Sequence, residues 1–146
     1  MSEQLAALGD VAAAFERGAI EHWLFGGWAV DFHAGVATRA HDDVDFAVRL
    51  ADMPVITRLL EADGWLDLQD PEVHGGIAFG RDGVRLELTY LECYPMDGEG
   101  AEVRELNGVR SRVVALGVLT RMKDGARDDP IDVAKDRADH RLLRDL

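Results

Sequence analysis

The sequence predicts an α/β (α+β) protein in which a small mixed β-sheet is flanked by helices and followed by a short helical C-terminal part. Three stretches support this prediction. Residues 23–36 read as a short apolar strand, a Gly-Gly turn and an apolar helix. Residues 84–90 alternate between apolar and polar side chains, as a strand with one buried face does. Residues 3–17 carry apolar side chains at the spacing of a helix that packs on a core.

The other elements follow from local signals along the chain. Pro54 suits the first turn of a helix, because an N–H group at that position would have no partner within the helix. The dipeptide Asn107-Gly108 favours the positive φ angles of a two-residue hairpin turn. We therefore expect residues 1–114 to form the core domain and residues 115–146 to form a helical segment packed on it. The further expected elements are a helix over 52–64, strands over 65–68 and 73–79, a hairpin over 102–114, and helices over 116–126 and from 131.

Length, charge and cysteine content restrict the class of protein. A chain of 146 residues suits one domain. Its net charge of −12 repels the phosphate backbone of nucleic acids and attracts a polycationic small molecule. No apolar run is long enough to cross a membrane and no signal peptide is recognisable, so we expect a cytoplasmic protein. The single cysteine, Cys93, excludes an internal disulfide, and we expect it to be buried.

The residues with chemical potential concentrate in the stretch 23–48. Gly26 and Gly27 join the predicted strand to the predicted helix, so the N–H groups and the positive dipole end of the helix point beyond the strand. This geometry suits a phosphate group. In the strand that follows, residues two apart share a face, which places Asp43 and Asp45 side by side.

Asp43 and Asp45 predict a cation site. Two neighbouring carboxylates repel each other unless a positive charge lies between them. A hard divalent cation such as Mg²⁺ is the usual solution, and it commonly arrives with nucleotide phosphates and neutralises charge during phosphoryl-type transfer. Glu87, on the polar face of the strand over 84–90, is the best-placed third carboxylate. Each strand alone also fits an ordinary sheet with one solvated face, whereas the combination with the glycine turn favours the metal site.

A known protein family shares the pattern of these residues. The segments Gly26–Asp31, Thr38-Arg39 and His41–Asp45 together resemble the signature of small antibiotic nucleotidyltransferases. These are the aminoglycoside and lincosamide adenylyltransferases of the polymerase-β-type nucleotidyltransferase superfamily. The similarity is looser over residues 83–89, and it reappears at residues 135–139, which read Lys-Asp-Arg-Ala-Asp.

The resemblance implies a nucleotidyltransferase fold and a Mg²⁺-dependent enzyme of antibiotic resistance. Such an enzyme transfers a nucleoside monophosphate, expected to be AMP from ATP, to a hydroxyl group of an aminoglycoside or lincosamide-like antibiotic. The residues expected to be catalytic and to bind the metal are Asp43, Asp45 and Glu87. The resemblance also implies that Glu87 activates the attacking hydroxyl group. The residues expected to bind the nucleotide are Gly26, Gly27, Thr38, Arg39 and Lys135.

The two basic residues among them, Arg39 and Lys135, each have a second interpretation. Arg39 fits a bidentate clamp on nucleotide phosphates and equally an ion pair with Asp31 or Asp42. Lys135 fits a phosphate contact, as the resemblance implies, and also a surface pair with Asp139 one helical turn away. Both choices stay open at the level of sequence.

The function and the site also have alternatives. The protein could be a catalytically weak relative that binds a nucleotide or a protein, as antitoxin-like members of the superfamily do. The alternation of His41, Asp43 and Asp45 would also suit a transition-metal site, although the other histidines show no ligand spacing. Because the C-terminal part is brief for the family, either a second subunit of a homodimer completes the acceptor pocket or the acceptor is a different one.

Overall fold

The computed structural model describes residues 2–93 and 100–123. The helices are α1 (Ser2–Arg17), α2 (Gly26–Ala34), α3 (Met53–Ala62) and α4 (Leu116–Lys123). The strands are β1 (His22–Phe25), β2 (Val44–Val48), β3 (Leu66–Asp67), β4 (Gly76–Arg81), β5 (Val84–Tyr90), β6 (Ala101–Leu106) and β7 (Val109–Val114). Within the described residues, these seven strands form one mixed sheet in the order β3-β4-β5-β2-β1-β7-β6. The predicted α/β fold class is therefore confirmed.

The centre of the sheet combines antiparallel and parallel pairs. β1 lies antiparallel to β2 and parallel to β7, and β2 lies parallel to β5. In this register Asp45 lies opposite Phe25 of β1 on one side and opposite Glu87 of β5 on the other. The end of β1, where the chain turns into α2, is thus brought next to the polar residues of two further strands.

Helices and sheet share one apolar core. The residues of α1 that were predicted to pack are all buried: Leu5, Leu8, Ala12 and Phe15. The central strands bury alternate residues, which are Val44 and Phe46 of β2 and Leu86 and Leu88 of β5. Since side chains alternate along a strand, Asp45 and Glu87 project to the opposite face of the sheet. The period-two pattern therefore separates the core from the polar site.

Two local predictions differ from the structure. The strand expected over 73–79 begins later, as β4, because the N–H group of Val73 closes a turn on the Asp70 carbonyl oxygen at 3.3 Å. Cys93 is exposed instead of buried. It follows the end of β5 and donates its N–H group to the Tyr90 carbonyl oxygen at 3.0 Å, so the chain turns away from the core there.

The C-terminal helical segment is described in part. α4 begins where the sequence predicts a helix, and it buries Leu119. The helix predicted from residue 131, and with it Lys135, lies outside the described residues. The division into residues 1–114 and 115–146 stays a prediction. Among the described helices, none combines the length and the apolar composition that a membrane span requires.

His22, at the start of β1, is a buried histidine whose protonation depends on folding. Its Nδ1 donates a hydrogen bond to the Ile20 carbonyl oxygen at 2.8 Å, and its ring packs beside those of Phe15 and Phe46. Burial lowers the pKa of His22 below its ordinary value of 6.5, although the Ile20 hydrogen bond and the charge of Glu16 act in the opposite direction. The folded protein therefore keeps His22 neutral at pH values where the unfolded chain binds a proton.

Replacing His22 by phenylalanine is expected to reduce the loss of unfolding free energy that the protein shows as the pH falls below 6.5. As the pH falls through 6.5, the unfolded parent gains a proton that the folded parent does not, so its free energy of unfolding decreases until the pH reaches the lowered pKa. His22→Phe removes this proton uptake. Urea denaturation of both proteins, above pH 6.5 and about one unit below it, measures the difference. Equal losses of stability in the two proteins would contradict the expectation.

Candidate active site

Three carboxylates meet at the centre of the sheet. Asp43, Asp45 and Glu87 each offer one oxygen atom, and these oxygens lie within 4.8 Å of one another. The parallel pairing of β2 and β5 places Asp45 directly beside Glu87. Asp43 directly precedes β2, and its carboxylate still reaches those of Asp45 and Glu87. All three side chains are partly exposed, so a ligand can reach them from solvent.

This carboxylate cluster, defined as Asp43, Asp45 and Glu87, fits a small hard cation. Mg²⁺ prefers oxygen ligands at about 2.1 Å, so oxygens on opposite sides of the ion lie about 4.2 Å apart. The observed spread of up to 4.8 Å requires only small movements of the side chains. The individual roles of the three residues in metal binding and catalysis stay predictions.

The glycine turn lies directly against the carboxylate cluster. Gly26 has a φ angle of 73°, which belongs to the left-handed region that favours glycine. A Cβ atom at this position would lie 2.6 Å from Asp45 Oδ2. The backbone conformation therefore favours glycine at position 26, and a side chain there would push the Asp45 carboxylate aside.

The N-terminus of α2 begins at this turn. The helix starts at Gly26, and its N-cap residue, Phe25, forms no side-chain hydrogen bond to the first turn. The first N–H groups of the helix and the positive end of its dipole therefore lie next to the carboxylate cluster, where they suit an anionic group such as a phosphate. A cation site and an anion site side by side suit a complex of a metal ion with a nucleoside triphosphate.

A hydrogen-bond network around the buried Asp31 holds the loop between α2 and β2. Asp31 of α2 is fully buried, and its Oδ1 accepts a hydrogen bond from Thr38 Oγ1 at 2.7 Å. Asp31 Oδ2 accepts from the N–H group of Thr38 at 3.1 Å and from His41 Nε2 at 2.8 Å. His41 is buried as well, and a Cβ atom at Gly27 would collide with its Nδ1. The network therefore fixes the loop that leads to Asp43 against the start of α2.

The Asp31 network was not predicted from the sequence, although a signal was present. Asp31 stands between Val30 and Phe32 in an apolar helix, and a carboxylate at a buried helical position needs partners. His41 is committed to Asp31, and among the described residues the cluster that could hold a metal contains the three carboxylates without His41. The geometry thus does not support a transition-metal site that includes this histidine.

Thr38 and Arg39 lie in the same loop and make different contacts. Thr38 donates both its hydroxyl and its N–H group to Asp31, so it supports the loop. Arg39 is partly exposed, and its Nη1 donates to the Ala40 carbonyl oxygen at 3.4 Å. The predicted nucleotide contacts of these two residues stay predictions, as does that of Lys135, which lies outside the described residues.

Replacing Thr38 by valine is expected to destabilise the protein by about 1–3 kcal/mol, because a buried oxygen of Asp31 loses its partner. Thr38→Ser keeps the hydroxyl group and serves as the matched control, with a stability close to that of the parent. Urea denaturation compares the three proteins. A nucleotide contact by Thr38 predicts another result, in which Thr38→Val raises the KM for the nucleotide and leaves the free energy of unfolding unchanged.

Arg85 is a cation within the site, on the face of β5 that the sequence predicts it to share with Glu87, but the sequence assigned it no role. Its Nη2 and Nε donate to Glu87 Oε1 at 2.8 and 3.0 Å. Nε also lies 3.3 Å from Asp43 Oδ1, and Nη2 donates to Asp70 Oδ2 at 2.8 Å. A hydrogen bond from the Glu72 N–H group, followed by that from Arg85, holds the pKa of Asp70 below its ordinary range. The guanidinium thus joins the carboxylate cluster to the connection between β3 and β4.

A comparison with protein families agrees with this geometry. The model of the aminoglycoside-2''-adenylyltransferase family matches residues 7–135 of the chain. The matched range contains the carboxylate cluster, the glycine turn and the Asp31 network. A comparison with curated proteins found no match for this chain.

Solved structures of nucleotidyltransferases share the fold. The crystal structure of ANT(2'')-Ia in complex with adenylyl-2''-tobramycin has a TM-score of 0.77 at 19% identity, over 97% of this chain and 87% of that chain. The lincomycin-bound lincosamide antibiotic adenylyltransferase LnuA has a TM-score of 0.72 at 17% identity, over 99% and 96% of the two chains. An antigenic nucleotidyltransferase-like protein from Paracoccidioides brasiliensis has a TM-score of 0.67 at 18% identity, over 97% and 76%. The nucleotidyltransferase fold predicted from the resemblance is therefore confirmed.

Proposed function

This chain belongs to the aminoglycoside-2''-adenylyltransferase family, and on that premise we propose that it transfers AMP from ATP, with Mg²⁺, to a hydroxyl group of a small cationic antibiotic. It is a nucleotidyltransferase, and its family and fold are those of antibiotic nucleotidyltransferases. The nucleotide, the metal ion and the acceptor are the parts that the proposal adds.

The observation that carries the proposal is the position of the carboxylate cluster beside the glycine turn. The oxygens of the cluster lie within 4.8 Å of one another, and Asp45 Oδ2 lies against Gly26, where α2 begins. A triphosphate bound at the N-terminus of α2 would therefore lie next to a metal ion bound by the cluster. Binding of a metal–nucleotide complex requires these two kinds of site in contact.

The carboxylate cluster supplies the ligands for the metal in this proposal. Asp43, just before β2, and Asp45, on β2, would hold the ion together with Glu87 on the neighbouring β5. When bound, Mg²⁺ neutralises the charge that develops on the phosphate oxygens during the transfer. Because α2 starts beside Asp45, the same arrangement fixes the phosphates relative to the ion.

Glu87 acts as the general base toward the acceptor. Its carboxylate accepts the proton of the acceptor hydroxyl group, and the oxygen of that group forms a bond with the α-phosphorus of ATP. The bond from the α-phosphorus to the oxygen that bridges to the β-phosphate breaks, and pyrophosphate leaves with the electron pair. Glu87 suits this role because it is partly exposed beside Asp45. Gly26 and Gly27, with Arg39 and Lys135 by resemblance to the family, position the phosphates.

The charge of the protein supports a cationic acceptor. A net charge of −12 attracts a polycationic small molecule and repels the backbone of a nucleic acid. One structural neighbour was solved with adenylyl-2''-tobramycin and another with lincomycin. The acceptor that we propose is accordingly an aminoglycoside or a lincosamide-like antibiotic.

Mass spectrometry of antibiotic panels incubated with each of the common nucleoside triphosphates tests the proposal. With ATP and Mg²⁺, at least one aminoglycoside or lincosamide is expected to gain the mass of one AMP group, with release of an equal amount of pyrophosphate. Chelation of the metal by EDTA is expected to stop the transfer. Reactions without an acceptor serve as the control for hydrolysis of the nucleotide.

Each part of the proposal can fail separately when a thermal-shift measurement with ATP and Mg²⁺ accompanies the mass spectrometry. A thermal shift with ATP and Mg²⁺, but without transfer to any acceptor in the panels, would indicate a binding protein that does not modify these antibiotics. Transfer from another nucleoside triphosphate would correct the nucleotide. Undiminished transfer in EDTA would contradict the dependence on a metal ion.

A further inference from the structure

The guanidinium of Arg85 contacts two members of the carboxylate cluster and one carboxylate outside it. Inside the cluster, it donates to Glu87 Oε1 from both Nη2 and Nε, and its Nε lies 3.3 Å from Asp43 Oδ1. Outside the cluster, Nη2 donates to Asp70 Oδ2 at 2.8 Å. A single side chain therefore compensates part of the negative charge that a metal ion would otherwise compensate.

A guanidinium in this position and a divalent cation compete for the same carboxylate groups, those of Asp43 and Glu87. The N–H groups of Arg85 use lone pairs of Glu87 that a metal would use, and the two positive charges repel each other. Mg²⁺ requires its ligand oxygens at about 2.1 Å. An ion held by oxygens of Asp43 and Glu87 lies close to Arg85 Nε, which is 3.3 Å from Asp43 Oδ1 and 3.0 Å from Glu87 Oε1, so repulsion between the two positive charges weakens the contacts of the guanidinium.

Asp70 offers the guanidinium a second position. The N–H group of Glu72 donates to Asp70 Oδ1 at 2.9 Å, which orients this carboxylate independently of Arg85. The Arg85 side chain is 31% exposed, so it has room to turn away from the cluster. Since Nη2 already contacts Asp70 Oδ2, the guanidinium can leave Asp43 and Glu87 and keep one charged partner.

We propose that Arg85 is a displaceable internal cation that partly neutralises Asp43 and Glu87 while no metal is bound, competes with the incoming metal, and is then retained by Asp70. The proposal rests on the metal site of the proposed function. Its consequence is a preference for the metal–nucleotide complex over the free ion. The phosphates bring additional ligands to the ion, so the complex displaces Arg85 more readily than the free ion does.

Calorimetric titration of the full chain with Mn²⁺ in the absence of nucleotide tests the competition. Arg85→Gln is expected to bind Mn²⁺ about tenfold more tightly than the parent, because the competing charge is gone. Arg85→Lys keeps the charge without the forked contacts, so its affinity is expected to lie between the two. Without metal, Arg85→Gln is expected to have a lower unfolding midpoint than the parent, and Mn²⁺ is expected to restore it.

A double-mutant cycle tests the part played by Asp70. Asp70→Asn removes the second position of the guanidinium. The single variant Asp70→Asn is therefore expected to bind Mn²⁺ about threefold more weakly than the parent. Part of that loss reflects the missing negative charge alone. In the Arg85→Gln background the same change is expected to have a smaller effect, because no guanidinium is left to retain. An equal effect in both backgrounds would overturn the role assigned to Asp70.

Asp45→Asn separates a failure of this inference from a failure of the proposed function. If Mn²⁺ binds the parent in a manner that Asp45→Asn abolishes, and Arg85→Gln binds no more tightly, the competition is overturned and the metal site stands. If neither the parent nor Arg85→Gln binds Mn²⁺ in a manner that depends on Asp45, the metal site and the inference fail together.

Discussion

Asp45→Asn is expected to lower kcat for nucleotidyl transfer by about a thousandfold. Asparagine keeps the shape of the side chain and removes the charge at the centre of the carboxylate cluster, beside Glu87 and Gly26. A metal ion held there would lose a ligand at the point where phosphate charge has to be neutralised. The free energy of unfolding is expected to stay the same or to rise, because repulsion among the carboxylates falls.

Transfer of label from radioactive ATP measures this effect, and Asp42→Asn is the matched control. Asp42 is exposed and lies one residue from the cluster, so the same chemical change there is expected to leave most of the activity. Urea denaturation of both variants excludes misfolding as the cause of a loss. If Asp45→Asn transferred label as fast as the parent, the assignment of the active site would be wrong.

Gly26→Ala is expected to lower kcat/KM by about a hundredfold, because it displaces the carboxylate of Asp45 from its position beside the helix N-terminus. The new Cβ atom would lie 2.6 Å from Asp45 Oδ2, so the carboxylate has to move. The positive φ angle of 73° adds a destabilisation of about 1–2 kcal/mol. Steady-state kinetics and urea denaturation measure the two effects separately.

Gly35→Ala is the matched control for the backbone strain. Gly35 ends the same helix with a φ angle of 77°, and a Cβ atom there would meet nothing within 4 Å. The Gly35→Ala variant is therefore expected to lose about as much stability as Gly26→Ala and to keep its activity at temperatures where it is folded. A similar loss of kcat/KM in both variants would mean that strain in α2, and not the displacement of Asp45, explains the effect.

Much of the fold was predictable because its signals are local. The helical spacing of apolar residues identified α1, the alternation over 84–90 identified β5, and Asn107-Gly108 identified the hairpin of β6 and β7. At Asn107 and Gly108 the φ angles are 49° and 83°, as such a turn requires. The predicted start of β4 and the predicted burial of Cys93 were wrong, because both features depend on the direction that the chain takes after a turn.

The position of Glu87 shows where local signals end. The alternation of apolar and polar side chains predicts which residues of β5 share a face, but it does not predict which strand lies beside β2. β3 and β4 stand between β2 and β5 in the chain, and yet β2 pairs in parallel with β5. The alternation predicts Glu87 as the best-placed third carboxylate, and this long-range pairing brings it beside Asp45.

The Asp31 network and the contacts of Arg85 with Asp43 and Asp70 lie beyond local patterns as well. Asp31 contacts Thr38 and His41 only because the loop that follows α2 folds back against this helix. Arg85 meets Asp70 only because the connection between β3 and β4 comes to rest beside β5. The residue types indicated that partners were needed, and the fold selected them.

Periodicity, turn chemistry and charge were enough to establish an acidic α/β chain with a glycine turn and two aspartates on one face of a strand. These properties depend on neighbours within a few residues, so the order of side chains contains them. Glu87 completes the carboxylate cluster, and Arg85 contacts Asp43 and Asp70, only because strands and loops far apart in the chain come together. Such contacts form when the whole sheet buries its apolar face, and the packing of that core selects the pairing.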